Sequence, residues 1–385
     1  MILYGRQDIN QADIDAVVDV LRSDFLTQGP AVPKFEKVVA SYCSARYAVA
    51  VNSATSALHI ACLALDLGPG DWLWTSPITF VASANCGLYC GAKVDFVDID
   101  PQTYNISIER LAEKLAEAEK NGKLPKIIIP VHLCGQSCDM AAIRNLAQRY
   151  GFKIIEDASH AIGGYYKNEP IGNCLYSDIT VFSFHPVKII TTAEGGMALT
   201  NDPLLAEQMI SYRSHGITSD ANKMLRRPVE EIWNYQQVTL GLNYRMTDIQ
   251  AALGLSQMTR LDKFVKKRQV IAMRYDSRLV DLPLSIPWQH PDSKSSYHLY
   301  PIRLKLCDDK KLQRQVYSAL HADGIMVNLH YIPVYRQPYY EKMGFQVGYC
   351  PEAELYHKNA ISLPIHTTLS EEQEDKVVIC LRNAL

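Results

Sequence analysis

Between about residues 45 and 200, short apolar runs alternate with segments of helical periodicity, and this alternation constrains the fold most. The runs are continuous, as expected of strands whose two faces are both covered. Strands that alternate with helices of about 10–15 residues predict βαβ units and a mostly parallel sheet. The predicted strands are 47–52, 71–75, 93–100, 126–133, 152–159 and 178–185, and the predicted helices between them are 53–65, 81–90, 106–120 and 139–151, the last ending at Gly151.

After about residue 200 the pattern changes. Residues 246–279 indicate a long or broken helical segment that opens on a capping box from Thr247 to Gln250. The remaining predicted elements are a strand at 295–304, a helix at 310–324, a strand at 325–332 and a last helix that opens on a second capping box, Ser370 to Gln373. We therefore predict a large domain over residues 1–250 and a smaller C-terminal α+β domain over residues 251–385.

Composition and charge narrow the class of protein. The 385 residues carry 39 Lys and Arg against 41 Asp and Glu, and this balance argues against a nucleic-acid partner. No apolar stretch indicates a signal peptide, and no run approaches the ~18 apolar residues of a membrane span. Ten scattered cysteines favour reduced, buried thiols in a cytoplasmic protein over a disulfide framework.

One group of residues suggests a metal site. Cys134 and Cys138 follow His132 closely in the sequence. Their CxxxC spacing has no second paired motif, whereas structural zinc sites usually combine two. We predict buried thiols here and no metal site.

A lysine and an aspartate follow two of the predicted strands. Asp157 lies near the end of one strand, and Lys188 comes 31 positions later, just past the next. Ligands of open α/β sheets bind at the carboxyl ends of the strands, so both side chains can meet at one edge. An amine and a carboxylate placed in this way suit pyridoxal phosphate, because the lysine reacts with its aldehyde and the acid pairs with its ring nitrogen. A structural ion pair between the two residues fits the spacing equally well.

Further residues suit the same kind of ligand. The segment from Asn52 to Ala57, NSATSA, lies between a predicted strand and a predicted helix, where free N–H and hydroxyl groups form an anion site suited to a phosphate. An ordinary Ser/Thr helix cap is the alternative. Ser183 offers another hydroxyl, Phe80 suits either ring stacking or the core, and His160 suits either a ring-oxygen contact or an ordinary polar one.

Two glycines follow Glu194 in the segment SFHPVKIITTAEGG. Glycine adopts backbone conformations that other residues avoid. We therefore predict a tight backbone turn at Gly195 and Gly196, beside the bound group.

The motifs NSATSALH, SPITFVASAN, EDASHAIGG, SFHPVKIITTAEGG, RSHGI and GLNYRMTDIQAALGLSQ occur in this order. Together they resemble the sugar aminotransferases of the DegT/DnrJ/EryC1/StrS family, and the resemblance runs nearly end to end. It implies a fold-type I pyridoxal-phosphate transferase: an α/β protein with a mostly parallel mixed sheet flanked by helices and a smaller C-terminal α+β domain.

The resemblance also implies roles for individual residues. Lys188 matches the lysine that forms the Schiff base, and Asp157 matches the partner of the pyridine nitrogen, so these two are the predicted catalytic residues. The predicted cofactor-binding residues are Ala54, Thr55, Phe80, Asp157, His160, Ser183, Lys188 and Asn243, the last donated by the neighbouring subunit of a homodimer. The predicted substrate-binding residues are Tyr4, Asp24, Phe25, Leu26, Thr27, Asn328, Leu329, His330 and Tyr331, so segment 1–30 contributes to the substrate site.

The reaction that the resemblance implies is transfer of an amino group from L-glutamate to the C4 keto group of a UDP-linked 6-deoxy-hexosulose. The implied acceptor is UDP-2-acetamido-2,6-dideoxy-β-L-arabino-hex-4-ulose, for a pseudaminic acid-type amino sugar. The alternatives are a 3-keto sugar or the UDP-4-keto-pentose of lipid A modification, whose enzymes resemble this chain but carry tryptophan in place of Phe80. Related 3-dehydratases carry histidine in place of Lys188, which argues against dehydration. Arg213 and Arg245 are candidates, on charge alone, for the glutamate carboxylate, with a structural or solvent-facing role as the alternative.

Overall fold

A computed structural model describes residues 1–225, 231–305 and 310–385 of the protein. Over these residues, strands and helices alternate along the chain. The strands are β1 Ile2–Leu3, β2 Tyr47–Val51, β3 Trp72–Thr75, β4 Lys93–Phe96, β5 Ile127–Ile129, β6 Lys153–Asp157, β7 Tyr165–Tyr166, β8 Glu169–Pro170, β9 Ile179–Ser183, β10 Gly196–Thr200, β11 Ile217–Thr218, β12 Gln236–Gln237, β13 Leu284–Ser285, β14 Ser293–Lys294, β15 Tyr300–Leu304, β16 Ile325–Met326 and β17 Ala360–Leu363. The α-helices are α1 Gln11–Leu21, α2 Ala31–Cys43, α3 Ala54–Ala64, α4 Ala82–Tyr89, α5 Ile108–Lys120, α6 Met140–Tyr150, α7 Pro203–Arg213, α8 Asp248–Met258, α9 Leu261–Leu279, α10 Lys310–Ala322, α11 Pro338–Glu341, α12 Pro351–Asn359 and α13 Glu371–Ala384.

A seven-stranded sheet in the order β2-β10-β9-β6-β5-β3-β4 forms the centre of the protein. The neighbours from β9 to β4 pair in parallel, whereas β10 is antiparallel to both β2 and β9. All six strands predicted between residues 47 and 185 are present, so the prediction of a mostly parallel mixed sheet is confirmed. The sequence analysis did not predict β10, which follows β9 without a crossover helix.

Helices cover both faces of this sheet. Val49 and Val51 of β2 pack in a core with α3 and α4, whereas Ala50 faces the opposite core, to which α2 and α8 contribute. This alternation explains why the strands carry continuous apolar runs, because each face buries side chains against its own layer of helices.

The helix ends follow the predicted caps. The side chains of Thr247 and Ser370 each accept a hydrogen bond from the backbone N–H three residues on, and the glutamine side chain at that position accepts one from the N-cap backbone N–H. Both predicted capping boxes are therefore confirmed. Gly151 ends α6 at a φ of +80°, as a C-cap glycine should. The helical segment 246–279 is broken into α8 and α9.

The C-terminal residues form an antiparallel sheet, β13-β15-β17, beside α10, α12 and α13. Strand β1 pairs in parallel with β16, which packs the N-terminal Ile2 into the same core as β15 and β17. Helix α9 contributes Leu261 to a core of the large sheet and Tyr275 to the C-terminal core. The division at residues 250 and 251 therefore stays a prediction, with α9 contacting both parts.

Several predicted strands are too long, since 93–100 is a strand only over Lys93–Phe96, 126–133 only over Ile127–Ile129 and 295–304 only over Tyr300–Leu304. The segment 325–332 is a strand only at β16, and beyond it Asn328 exchanges two backbone hydrogen bonds with Ser362 of β17. Within the described residues, no helix is long and apolar enough to span a membrane. The nine cysteines described are free thiols, as predicted, and Cys307 lies outside the described residues.

Candidate active site

A cavity of about 600 Å³ opens at the carboxyl ends of β2, β6 and β9. Twelve of the seventeen predicted site residues line it, and they are Tyr4, Ala54, Thr55, Phe80, Asp157, His160, Ser183, Lys188, Asn328, Leu329, His330 and Tyr331. A cavity of this volume can hold a cofactor together with part of a substrate. The edge of the sheet at which it opens is the one that the positions of Asp157 and Lys188 predict.

Lys188 follows β9 and opens onto the cavity. Burial lowers the pKa of its amine from 10.5 to about 8, and the nearby Asp157 carboxylate opposes this shift without cancelling it. About a tenth of the amine is then neutral at pH 7, several hundred times more than for an ordinary lysine. The amine can therefore act as a nucleophile and can exchange protons near neutral pH.

Asp157 ends β6, and both of its carboxylate oxygens are already held. The Ser83 hydroxyl donates a hydrogen bond to Oδ2 at 2.6 Å, and the Ser159 N–H donates one to Oδ1 at 3.1 Å. A carboxylate offers about four lone pairs. Asp157 therefore keeps acceptor capacity toward the cavity, where it suits a protonated ring nitrogen.

His160 follows Asp157 by three residues and lines the same cavity, and its neighbours fix the position of its ring proton. Its Nδ1 accepts a hydrogen bond from the Cys134 N–H at 3.3 Å, so the proton of the neutral ring is on Nε2, which lies 3.3 Å from the Tyr331 hydroxyl. Burial, and then the charge of Lys188, hold the pKa of His160 well below 6.5. His160 is therefore a neutral donor from Nε2.

The opposite end of the cavity is built by the first turn of α3. The Ser53 hydroxyl caps this helix by accepting the Ser56 N–H at 3.1 Å, so the predicted cap is present. The amides of Ala54 and Thr55 lie in that first turn, where N–H groups lack intrahelical acceptors and favour an anion. With the Ser183 hydroxyl on the same wall, this end suits a phosphate.

The two glycines after Glu194 allow close packing directly after a bend of the backbone at Ala193 and Glu194. Neither glycine has a left-handed φ. A Cβ atom on Gly196 would lie 2.5 Å from the Ala54 nitrogen, and one on Gly195 would lie 2.2 Å from the Thr192 hydroxyl oxygen. Glycine lets the start of β10 pass against the first turn of α3.

Phe80 is not a core residue. Its ring is 59% exposed, whereas Phe182 in β9 is fully buried. It precedes α4 and lines the cavity. The position leaves an aromatic face free for a flat ring, as predicted for stacking.

The C-terminal part supplies the far wall. The His330 Nδ1 lies 2.9 Å from the Ser362 hydroxyl oxygen, and its ring centroid lies 5.0 Å from that of Tyr4. Burial, and then the charge of Lys188, lower the pKa of His330 to about 3, so its ring is neutral. The N-terminal Tyr4 and the segment from Asn328 to Tyr331 thus meet in one wall.

The sequence analysis missed several residues of the site. His298 lines the cavity with its ring 4.4 Å from that of His160, and within the described chain its buried Nδ1 has no partner. Its only sequence signal is a histidine in the predicted strand 295–304. Thr79 also lines the cavity, whereas Ser83 reaches Asp157 from behind it. Glu194 and His185 line the wall near Lys188, with Oε1 and Nε2 4.0 Å apart.

Five predicted site residues lie outside the cavity of their own chain. They are Asn243, Asp24, Phe25, Leu26 and Thr27, and all are exposed. Asn243 was predicted to contact the phosphate in the site of a neighbouring subunit, and its placement outside the cavity of its own chain is compatible with that role. The roles of Asn243 and of the segment 24–27 both stay predictions.

Arg213 is engaged elsewhere. Its Nη1 donates to Glu36 Oε1 at 2.5 Å and to the Ala50 carbonyl at 2.6 Å, which supports the structural alternative. Arg245 is half-buried and, like the other arginines of the described ranges, is not part of the cavity wall.

The group around His132 is also used internally. The His132 Nε2 lies 2.6 Å from Glu156 Oε2, and its Nδ1 accepts the Cys138 N–H at 3.2 Å. Both ring nitrogens are therefore bound within the protein. Among residues 1–225, 231–305 and 310–385, no three His, Cys, Asp or Glu side chains are grouped so as to hold a metal ion.

Comparison with known proteins shows that this chain is similar to sugar aminotransferases. The sequence model of the DegT/DnrJ/EryC1/StrS aminotransferase family matches residues 7–382. The spore coat polysaccharide biosynthesis protein SpsC of Bacillus subtilis is 38% identical over 386 residues, covering 99% of this chain and 96% of that protein. The UDP-4-amino-4,6-dideoxy-N-acetyl-β-L-altrosamine transaminase of Campylobacter jejuni is 38% identical over 375 residues, covering 96% and 94%.

Solved structures match over the whole chain. The putative sugar aminotransferase Spr1654 of Streptococcus pneumoniae, in its pyridoxamine phosphate (PMP) form, superposes with a TM-score of 0.91 at 31% identity, covering 100% of this chain and 99% of that one. PseC of Helicobacter pylori, an aminotransferase of pseudaminic acid biosynthesis, superposes with a TM-score of 0.90 at 31% identity, covering 100% and 98%. Spr1654 has also been solved in its pyridoxal phosphate form.

Proposed function

The chain belongs to the DegT/DnrJ/EryC1/StrS aminotransferase family, and from this premise we propose that it moves an amino group from L-glutamate to the C4 keto group of a UDP-linked 6-deoxy-hexosulose. The predicted family, fold class, enzyme class and pyridoxal 5′-phosphate cofactor are confirmed by the matches to sugar aminotransferases. The observation that carries the proposal is the meeting of a Lys188 amine of lowered pKa and the Asp157 carboxylate in one cavity.

The residues present fit this cofactor. The carboxylate of Asp157, the neutral Nε2–H of His160 and the first turn of α3 face one cavity. They suit, respectively, a protonated ring nitrogen, a ring oxygen and a phosphate. The exposed face of Phe80 suits the ring itself. We assign the cofactor-binding roles on this chemical match.

Lys188 has two tasks in the proposed reaction. When bound, pyridoxal 5′-phosphate supplies an aldehyde carbon that takes up the amino group and a ring that accepts electrons. Lys188 first holds the cofactor through its amine, then, once displaced by the amino donor, moves a proton to and from the reacting carbon. An amine whose pKa is about 8 serves as acid and base near neutral pH. Asp157 meanwhile keeps the ring nitrogen protonated.

The pKa of Lys188 predicts how the apo enzyme captures its cofactor. Only the neutral amine attacks the aldehyde, and its fraction rises about tenfold per pH unit below the pKa. We expect the capture rate, followed by stopped-flow absorbance, to rise about tenfold per unit up to pH ~8 and then to level off. A rate that keeps rising to pH ~10 would assign Lys188 an ordinary lysine pKa, and Lys188→Ala should show no such phase.

The sugar acceptor is proposed from the relatives. The Campylobacter jejuni transaminase is named for a 4-amino-4,6-dideoxy sugar linked to UDP, and the Helicobacter pylori enzyme for pseudaminic acid biosynthesis. We propose UDP-2-acetamido-2,6-dideoxy-β-L-arabino-hex-4-ulose as the acceptor. SpsC is equally similar to this chain and is named for a spore coat polysaccharide, which favours another nucleotide keto-sugar as the alternative.

A substrate panel tests the acceptor. The holoenzyme is incubated with glutamate and, separately, with the dehydrated products of UDP-N-acetylglucosamine in each stereochemistry, a UDP-4-keto-pentose, dTDP-4-keto sugars and a 3-keto sugar. Formation of 2-oxoglutarate and of the amino sugar is then measured. We expect the highest kcat/KM with the UDP-linked 6-deoxy-4-ulose of β-L-arabino configuration. A preference for a pentose, a dTDP sugar or a 3-keto sugar would replace this acceptor by the alternative.

We also propose a cytoplasmic homodimer with shared sites. The described cysteines are free, which suits a reducing compartment. Asn243 and the segment 24–27 are exposed and lie outside the cavity of their own chain, which leaves them free to contact a second copy. Nearby, Ile232, Trp233 and Leu240 expose at least three quarters of their surface, which favours burial against a second subunit.

Mixing inactive variants tests the shared site. Asn243→Asp places a carboxylate against the phosphate, and Lys188→Ala removes the amine, so each homodimer should be nearly inactive. A one-to-one mixture should regain about a quarter of wild-type activity, because half of the dimers are hybrids with one intact site each. The matched control mixes Lys188→Ala with Asp157→Asn, which lie in the same cavity and should regain nothing. Recovery no greater than this control would show that the sites are not shared.

A further inference from the structure

Behind Asp157 lies a chain of two buried hydroxyl groups. The Thr79 and Ser83 hydroxyl oxygens are 2.7 Å apart, and Ser83 Oγ is 2.6 Å from Asp157 Oδ2. Ser83 is fully buried and Thr79 nearly so. Both lie at the start of α4, one on each side of Phe80, and their partner Asp157 is 74 residues from Ser83. The chain therefore joins the turn that carries the exposed aromatic ring to the carboxylate.

The hydrogen bonds of this chain can run in only one direction. An ionised carboxylate only accepts, so the single proton of Ser83 points at Asp157. The Phe80 carbonyl, at 3.3 Å from Ser83 Oγ, is a much poorer acceptor. The short contact between Thr79 and Ser83 must then be filled by the Thr79 proton. Donation from Thr79 to Ser83 to Asp157 is cooperative, because each bond polarises the next.

The chain of two hydroxyl groups contacts the Asp157 carboxylate on one side only. Ser83 holds Oδ2, the Ser159 N–H holds Oδ1, and the side facing the cavity is left for a ligand. A charge-assisted hydrogen bond from a buried donor stabilises the ionised form and fixes its plane. Without it, the carboxylate would keep only the Ser159 N–H as a donor from the protein and would rotate more freely toward the cavity.

We propose that Thr79 and Ser83 are positioning residues that keep the proton of the cofactor complex on the ring nitrogen and off Asp157. This proposal rests on the proposed role of Asp157. If Ser83 no longer donates, the carboxylate competes better for the ring proton. The ring then withdraws electrons less strongly from the reacting carbon, which slows the proton transfers at Lys188.

The state of the ring nitrogen can be read directly. The holoenzyme is loaded with cofactor labelled with ¹⁵N in the ring, and its ¹⁵N chemical shift is recorded across the pH range. We expect Ser83→Ala to move the resonance toward the unprotonated position and Thr79→Val to move it less, while Thr79→Ser, which keeps the hydroxyl, stays as wild type. In steady-state assays, Ser83→Ala should lower kcat about tenfold to a hundredfold and leave the KM for the sugar nucleotide within about twofold.

Ser76→Ala is the matched control. Ser76 is a buried serine seven residues before Ser83, and in the described structure its hydroxyl has no partner. Ser76→Ala removes a buried serine hydroxyl, as Ser83→Ala does, but this hydroxyl makes no hydrogen bond to Asp157. The ¹⁵N resonance should therefore not move.

Asp157→Asn separates the proposed role of Asp157 at the ring nitrogen from the proposed effect of Thr79 and Ser83 on Asp157. If it moves the resonance and folded Ser83→Ala and Thr79→Val do not, the hydroxyl chain is overturned and the role of Asp157 stands. If Asp157→Asn also leaves the resonance unchanged, both are overturned. Should Ser83→Ala not fold, the pair Thr79→Val and Thr79→Ser decides the outcome.

Discussion

Lys188→Ala should lower turnover at least about 10⁴-fold and remove the absorption band of the covalently held cofactor, near ~420 nm. The amine is both the group that holds the cofactor and the group that moves the proton, so no neighbouring residue can replace it. Three of the lining histidines are poor substitutes, because burial holds the pKa of His160, His298 and His330 well below 6.5. Turnover is measured as glutamate-dependent formation of 2-oxoglutarate, and the band by an absorbance scan.

Lys153→Ala is the matched control for this experiment. Lys153 begins β6, and its exposed side chain pairs with Asp178 at 2.9 Å, away from the cavity. Its loss should leave the band and turnover close to wild type, since an exposed ion pair contributes little to stability. If Lys188→Ala instead kept the band, Lys188 would not be the residue that holds the cofactor. Partial recovery of turnover on adding a small primary amine would support its role in proton transfer.

Asp157→Asn should lower turnover about a hundredfold to a thousandfold while the protein stays folded. Asparagine has nearly the same shape, and its oxygen can still accept the Ser159 N–H. It carries no negative charge, however, so it no longer favours a proton on the ring nitrogen. The variant should still bind the cofactor and retain the absorption band, which separates it from Lys188→Ala.

Thermal unfolding and cofactor affinity are the checks on Asp157→Asn. An unfolding midpoint close to that of the wild type would show that the loss of turnover is chemical. Near-normal turnover would exclude Asp157 from the ring-nitrogen role.

Much of the fold could be predicted because strands buried on both faces carry continuous apolar runs. The runs at β2, β5, β6 and β9 are of this kind, and their order places Asp157 and Lys188 at one edge. Strand β10 was missed because it is antiparallel and has no crossover helix to mark it. Helix α1 was also missed, although Asn10 and Asp13 form a reciprocal capping box that a search with aspartate at the third position would find.

The site was harder to predict where its contacts are long-range. No spacing relates Tyr4 to His330, since the two rings meet only because β1 pairs with β16. Ser83 lies in helix α4 and its partner Asp157 lies at the end of strand β6, 74 residues away. The sequence therefore shows only an ordinary serine in a helix. The pKa of Lys188 likewise depends on the burial that the assembled walls provide.

The pairing of β1 with β16 also bears on how the protein is made. A ribosome delivers Ile2 long before its neighbour Ile325, which is synthesised 323 residues later (325 − 2 = 323). The central sheet can fold earlier as a unit. Tyr4, however, cannot take its place in the wall until β16 emerges, so a nascent or truncated chain that already holds Lys188 and Asp157 lacks a closed cavity. The reactive amine is thereby enclosed only after β16 has been synthesised.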